Sequence, residues 1–175
     1  MQFCLADSIA LLERTPGLFD SWLRGLPSNW VFARESPGMW SAFDVIGHLI
    51  HGEKTDWIPR TKQILAGGDD AVFVPFDRTG HEASSVGKSI DELLEQFKED
   101  RTASLRELRG MDLGPAELGL CGIHPEFGSV RLDELLSAWT AHDLAHIAQV
   151  ARAMARGLRT ATGPWRQYLR IVEPR

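Results

Sequence analysis

The sequence has few cysteines and no long apolar run. Cys4 and Cys121 stand alone, without the Cys-x-x-Cys spacing of a redox or zinc motif, so they predict two reduced thiols in a cytoplasmic protein. No stretch approaches the roughly 20 apolar residues of a membrane span. Residues 1–16 lack the basic and apolar regions of a secretory signal. We therefore expect a cytoplasmic protein with no membrane partner.

Basic residues are also in deficit, with 19 lysines and arginines against 24 acidic residues and a net charge of −5. Nucleic-acid-binding proteins usually present a basic face, so this balance predicts that nucleic acid is not a partner. The chain has 175 residues, of which 43% are hydrophobic. This size and composition predict a single domain over residues 1–175 with one substantial core.

Strand signals are scarce, and the segment 71–75 is extended in pattern but has no obvious partner strand. Helical periodicity is strong instead, and it predicts four long helices. Ser41 with Asp44, and Ser89 with Glu92, have the spacing of helix N-terminal caps. Two long links rich in glycine and proline separate the last three helices. The pattern predicts an all-α four-helix bundle with long connecting loops, whose topology is not simply up-down-up-down. The predicted helices span residues 3–23, 41–65, 89–109 and 132–156.

The fourth predicted helix contains two histidines, His142 and His146, on one face and one turn apart. That face is otherwise apolar, so both imidazoles are expected to point inward, where each needs a partner. Two interpretations stay open. The pair either binds a metal ion, or consists of core histidines hydrogen-bonded to carbonyl or carboxylate groups. The apolar residues of the face are Leu132, Leu135, Leu136, Trp139, Ile147, Val150 and Met154.

One helix supplies only two such ligands, and His48 on the second predicted helix is the best candidate for a third. His51 is its rival on the same helix, whereas His81 and His124 lie in links, where histidine is usually exposed. Three imidazoles that leave coordination positions open are typical of a catalytic metal site.

His48 lies away from the apolar stripe of its own helix, which contains Ile46, Ile50 and Trp57. If His48 faces the interior of the bundle, something else must cover this stripe. The cover is either a partner in a dimer or another part of the same chain.

Asp143 lies between the two histidines, where the zincin motif His-Glu-x-x-His has its glutamate. The shorter acid and the lack of a downstream ligand pattern argue against a zincin protease. Three roles stay open for Asp143. It orients a ligand histidine, acts as a general base, or forms a buried ion pair with an arginine.

Several of these segments together resemble the DinB/YfiT-like superfamily. The stretch 139–149 resembles the signature of the family's last helix, and the resemblance extends over residues 30–169. The other matching segments are 40–41, 47–49 with Glu53, Trp57 and Arg60, 124–128, and 163–169.

The resemblance implies a four-helix bundle, often a homodimer, with a metal centre at His48, His142 and His146. It also implies a small-molecule substrate, since characterised relatives include metal-dependent transferases and isomerases that use low-molecular-weight thiols, and other members are regarded as candidate metal-dependent hydrolases. All-imidazole ligation suits Zn or Ni first, and also Fe or Cu. The alternative is a non-catalytic, stress-related protein that binds a metal or a small ligand.

Overall fold

The computed structural model describes residues 3–67 and 71–173 and is mostly helical. Its four long helical segments confirm the predicted four-helix bundle, although two of the four are interrupted. Nine α-helices are present in the described residues, and a β-hairpin precedes the last of them. The helices are α1 (Leu5–Leu12), α2 (Thr15–Leu23), α3 (Ser28–Val31), α4 (Ala42–Thr55), α5 (Trp57–Gly67), α6 (Gly80–Ser85), α7 (Ile90–Gly110), α8 (Pro115–Leu118) and α9 (Leu132–Arg156).

The first predicted helix is two helices, α1 and α2, because Pro16 lies in the first turn of α2. Proline has no N–H, so it cannot donate to the carbonyl of Leu12 four residues earlier, and a helix usually starts anew at such a point. The Leu12 carbonyl instead accepts a hydrogen bond of 2.8 Å from Arg101 Nη1. The break therefore leaves a backbone acceptor in the core, where an arginine uses it.

The second predicted helix is also interrupted, at Asp56 between α4 and α5. Pro59 lies in the first turn of α5 and removes the N–H that a continuous helix needs there. The change of direction lets Trp57 stack on Trp139 of α9, with ring centroids 5.8 Å apart and planes 7° apart. The prediction of one unbroken helix over 41–65 was therefore wrong at this point.

Both predicted N-caps, Ser41 and Ser89, are confirmed, and each forms a capping box. Ser41 N donates to Asp44 Oδ2 at 2.8 Å, and Ser89 N donates to Glu92 Oε2 at 2.7 Å. The reciprocal bonds from the backbone of Asp44 and Glu92 to the two serine hydroxyls are present as well. These contacts satisfy N–H groups that the first turns of α4 and α7 would otherwise leave unpaired.

The hairpin of β1 (Cys121–His124) and β2 (Gly128–Arg131) was not predicted. Its strands are four residues each, too short for a clear alternation of polar and apolar residues. The segment before α6 pairs with it, since Ile123 N donates to Ala71 O and Phe73 N donates to Ile123 O. The extended segment predicted near residues 71–75 thus has a partner in β1.

Helix α4 lies at the centre of the bundle and packs against α7 and α9. Ile46 and Ile50 are buried by the chain itself, in a core cluster with Phe19, Leu93 and Phe97. Of the two covers considered for this stripe, the structure therefore has the intramolecular one. Within residues 3–67 and 71–173, no helix is long and apolar enough to span a bilayer.

Candidate metal centre

The structure brings His48, His142 and His146 together at one point between α4 and α9. The Nε2 atoms of His48 and His142 are 2.9 Å apart, and those of His142 and His146 are 3.0 Å apart. One donor nitrogen from each ring lies within 4.8 Å of the other two. His48 and His146 are buried, and His142 is half-buried. Histidines distant in sequence therefore converge as the metal hypothesis requires.

The spacing fits a shared cation. Three imidazole nitrogens bonded to one ion at about 2.1 Å lie roughly 3.0–3.4 Å from each other, depending on coordination geometry. Neutral imidazoles that point their Nε2 atoms at one another cannot all be satisfied by each other, and a cation at their common point would accept the Nε2 lone pairs. Among the described residues, the Nδ1 atoms of His48 and His142 are buried without a hydrogen-bond partner.

Gln149 determines how the His146 ring is protonated. Its side-chain oxygen Oε1 lies 2.8 Å from His146 Nδ1, one turn further along α9. An amide oxygen accepts, so His146 Nδ1 carries the proton and Nε2 presents a lone pair to the other two rings. This is the arrangement that a metal-binding histidine usually has.

The three rings are neutral over the physiological pH range. Burial, reinforced by the neighbouring histidines, lowers the pKa of His48 to about 2. Burial and the nearby His146 lower the pKa of His142 to about 3. Burial also lowers the pKa of His146, although its hydrogen bond to Gln149 opposes the shift. Neutral imidazole is the form that binds a metal, so no proton has to leave before binding near pH 7.

Aromatic side chains surround the histidines. The Trp40 ring centroid lies 4.6 Å from that of His48, and the ring also faces His146 at 6.1 Å with an interplanar angle of 23°. Phe76 contacts His48 edge-on at 5.5 Å, and Trp57 contacts His142 at 5.2 Å. These rings limit rotation of the imidazoles and keep their surroundings apolar.

The other histidines lie outside the cluster. His51, the rival of His48, lies one turn along α4, where its ring packs against Phe76 with centroids 5.1 Å apart. His124 is in β1, where its ring stacks on Phe127 at 4.4 Å and its Nδ1 accepts from backbone N–H groups of the hairpin turn.

His81 is buried, with 2% of its surface exposed, contrary to the expectation for a link histidine. It lies on α6 and packs edge-on against Trp40 at 4.9 Å, beside His48 at 5.9 Å. The sequence feature that could have indicated this burial is Gly47, the residue before His48. A Cβ at Gly47 would lie 2.5 Å from Ser85 Oγ and 3.5 Å from the His81 ring, so α6 packs directly on the backbone of α4 at this glycine.

Asp143 forms the ion pair that was one of its three possible roles. Its carboxylate accepts from Arg101 Nη1 at 2.6 Å and from Nη2 at 3.0 Å. Arg101 also donates to Glu53 Oε1 at 2.9 Å. Asp143 makes no hydrogen bond to a histidine ring in the part of the chain that the structure describes. Sequence reasoning did not find Arg101, which gave no signal beyond being one charge on the amphipathic third helix.

Comparison with known proteins agrees with this architecture. The family model of the DinB superfamily matches residues 11–150, so the chain belongs to this superfamily. The match contains all three clustered histidines.

Two solved structures share the fold. YfiT from Bacillus subtilis, described as a probable metal-dependent hydrolase with an unusual four-helix bundle topology, superposes with a TM-score of 0.71 at 21% identity over 87% of each chain. A mycothiol-dependent maleylpyruvate isomerase superposes with a TM-score of 0.60 at 14% identity, over 96% of this chain and 75% of the other. No curated protein matches the chain in a sequence search.

Proposed function

We propose that the protein is an enzyme that uses a divalent metal ion, held by His48, His142 and His146, to activate a thiol or a water against a small electrophilic substrate. The observation that carries this proposal is the convergence of three neutral imidazoles, with Nε2 atoms 2.9 and 3.0 Å apart, inside an aromatic enclosure. Zn or Ni is the expected metal, with Fe or Cu also compatible with three imidazoles.

When bound, such an ion supplies a positive charge that favours the deprotonated form of a nearby thiol or water at neutral pH. The protein contributes the rest. The three histidines leave coordination positions open, Gln149 keeps the His146 lone pair directed inward, and Trp40 and Phe76 reduce competition from bulk water.

Thiol transfer or thiol-dependent isomerisation fits the site better than hydrolysis. Metal-dependent hydrolysis commonly uses a carboxylate as general base beside the ion. The carboxylate nearest in sequence, Asp143, is committed to Arg101 at 2.6 and 3.0 Å. A bound metal ion lowers the pKa of a thiol and of a water alike, so the commitment of Asp143 disfavours hydrolysis mainly because the leaving group of an ester or amide also needs a proton donor. The similarity to a mycothiol-dependent isomerase supports thiol chemistry, and the similarity to YfiT keeps hydrolysis as the second candidate.

Metal content tests the first part of the proposal. Tag-free protein should contain close to one equivalent of a transition metal, and His146→Ala should contain little. His124→Ala is the matched control, since His124 lies in the hairpin, outside the cluster. Equal trace amounts of metal in the wild type and in His146→Ala would refute the metal centre.

Turnover tests the second part. A panel of low-molecular-weight thiols with electrophiles, beside a panel of esters and amides without thiol, is assayed with wild type and His48→Ala. Turnover that requires a thiol and disappears in His48→Ala supports thiol transfer, whereas thiol-independent cleavage supports hydrolysis. Metal-loaded protein that turns over neither panel would favour the non-catalytic binding role.

The homodimer and the cytoplasmic location stay predictions. Light scattering during size-exclusion chromatography tests the dimer. A dimer would give twice the chain mass of 19.5 kDa, and a monomer would give that mass itself.

A further inference from the structure

Arg101 is a charged residue in the middle of the core, with 1% of its surface exposed. It lies on α7 and reaches three other helices. Its guanidinium donates to the Leu12 carbonyl of α1 at 2.8 Å, to Glu53 of α4 at 2.9 Å, and to Asp143 of α9 at 2.6 and 3.0 Å. One planar, forked group thus joins four helices, a role that a single ammonium group could not fill.

Two of these partners lie close in sequence to the candidate metal ligands. Asp143 directly follows His142 on α9, and Glu53 lies less than two turns after His48 on α4. The same guanidinium therefore holds both helices that supply the three histidines. Its position relative to each helix sets how far apart their backbones lie at this level of the bundle.

Two stacked tryptophans connect Arg101 to the His142 ring by a second route. The guanidinium carbon lies 5.2 Å from the Trp139 ring centroid, and Trp139 stacks on Trp57 at 5.8 Å. Trp57 in turn contacts His142 edge-on at 5.2 Å. Arg101 therefore supports His142 through Asp143 on one side and through two tryptophans on the other.

The two buried carboxylates can lie close together only because the Arg101 guanidinium supplies a positive charge between them. Glu53 and Asp143 approach the guanidinium from different helices, each with its side chain almost fully buried. Without the cation, two buried carboxylates would face each other across α4 and α9, and like charges in a low-dielectric core repel strongly. We propose that Arg101 is a positioning residue for the metal centre, fixing the α4–α9 separation at which His48 meets His142 and His146. This inference rests on the metal-binding function proposed above.

The competing explanation is that Arg101 only stabilises the fold, and Zn²⁺ affinity separates the two. Arg101→Lys keeps the positive charge but cannot form the fork that serves both carboxylates and the Leu12 carbonyl. The matched control is Leu108→Ala, a buried truncation on the same helix that touches neither carboxylate in the hydrogen-bond network. Zn²⁺ binding is measured by calorimetry below the melting temperature of each variant, and bound Co²⁺ is followed by visible absorption.

We expect Arg101→Lys to bind Zn²⁺ about 10–100-fold more weakly than wild type, the range seen when groups that orient metal ligands are changed. The Co²⁺ spectrum should change as well, whereas Leu108→Ala should keep both properties despite a similar or larger fall in melting temperature. Glu53→Gln removes one charge with little change in volume and should lose less Zn²⁺ affinity than Arg101→Lys. It is the test variant if Arg101→Lys does not fold.

Wild-type Zn²⁺ affinity in Arg101→Lys and Glu53→Gln would overturn the positioning role while leaving the metal centre intact. An equal loss of affinity in Leu108→Ala would also overturn it, since general destabilisation would then explain the effect. Failure of wild-type protein to bind Zn²⁺ or Co²⁺ would instead refute the metal centre, and the positioning role with it.

Discussion

Two polar clusters lie buried in the same helical core and differ in how completely the protein satisfies them. The arginine cluster, formed by Arg101, Glu53 and Asp143, places a cation between two carboxylates at 2.6–3.0 Å, and only Glu53 Oε2 lacks a partner within this cluster among the described residues. The histidine cluster, formed by His48, His142 and His146, brings the Nε2 atoms of three neutral rings together, and within residues 3–67 and 71–173 the Nδ1 atoms of His48 and His142 have no hydrogen-bond partner. Burial is similar in the two clusters, but the internal pairing is not.

The contrast separates a structural role from a binding role. A buried group whose hydrogen bonds are made within the protein is typical of architecture. Ring nitrogens of like character that converge on one another, as the three Nε2 atoms do, are typical of a ligand site, because neutral rings gain little stability from facing each other. The arginine cluster thus joins the helices, and the histidine cluster is the part of the core that we propose binds a ligand. Four predictions test this division, from the largest expected effect to the smallest.

Arg101→Met should have the largest effect. It leaves Glu53 and Asp143 buried without their cation, and breaking a buried pair in this way costs about 3–5 kcal/mol of unfolding free energy. Urea unfolding of metal-free protein at pH 7 measures the change. A loss below about 1 kcal/mol would mean that the arginine cluster is not the structural element described above.

His142→Ala should weaken metal binding strongly and change folding stability little, the opposite of Arg101→Met. Removing one of three ligands should weaken Zn²⁺ binding by more than about 100-fold, beyond the loss from altering a group that only orients a ligand. The melting temperature in metal-free buffer should stay within a few degrees of wild type, because the histidine cluster contributes little pairing of its own. His51→Ala is the control and should keep wild-type affinity, since His51 is not one of the three histidines whose nitrogens converge.

A large loss of metal-free stability in His142→Ala would remove the contrast between the two clusters. A loss of metal affinity in His51→Ala comparable to that of His142→Ala would return His51 to the ligand set.

Acid should destabilise the metal-free protein through the histidine cluster. The folded pKa values of His48, about 2, and His142, about 3, lie below the 6.5 of an ordinary histidine, so between these values the unfolded chain binds more protons. The stability that neutral rings provide is complete above about pH 6.5 and falls as pH drops toward 3, by up to ~1.4 kcal/mol per pH unit for each ring. Urea titrations at pH 7, 6 and 5 measure the slope.

The variant His48→Asn removes one of the titrating rings and should flatten that slope. Parallel stability curves for wild type and His48→Asn would show that His48 does not stay neutral in the folded protein at acidic pH.

Gln149→Leu should have the smallest effect. It removes the acceptor 2.8 Å from His146 Nδ1, so the ring loses the contact that fixes its tautomer. Zn²⁺ affinity should fall about 10-fold, with melting temperature nearly unchanged because Gln149 is only half-buried. Gln149→Glu, which keeps an acceptor, should retain or raise affinity. Unchanged binding in both variants would contradict the role given to this side chain.

Local features were predictable from the sequence, because they depend on spacing within a few residues. The caps at Ser41 and Ser89, the full length of α9, and the shared face of His142 and His146 all follow from helical periodicity and hydrogen-bonding chemistry. His48 followed from the need for a third ligand and from the family resemblance, which the superfamily match confirms.

Features that depend on tertiary contacts were not predictable. An arginine partner for Asp143 could be predicted, but not which arginine it is. Nothing in the local sequence distinguishes Arg101, 42 residues away, from the other arginines. The break at Asp56 and the hairpin were missed because Pro59 in an otherwise helical pattern, and strands of four residues, give weaker signals than the long helices around them. His81 was expected to be exposed because its burial depends on the approach of α6 to Gly47.

The interruption between α1 and α2 affects how variation elsewhere in the chain could reach the histidines. Pro16 releases the Leu12 carbonyl from its own helix, and that oxygen anchors the guanidinium that also grips α4 and α9. A replacement near the amino terminus that restored a continuous first helix would add a backbone N–H to the same oxygen, which Arg101 would then share. Natural drift at residues 12–16 would thereby reach the proposed metal centre without altering any residue that lines it.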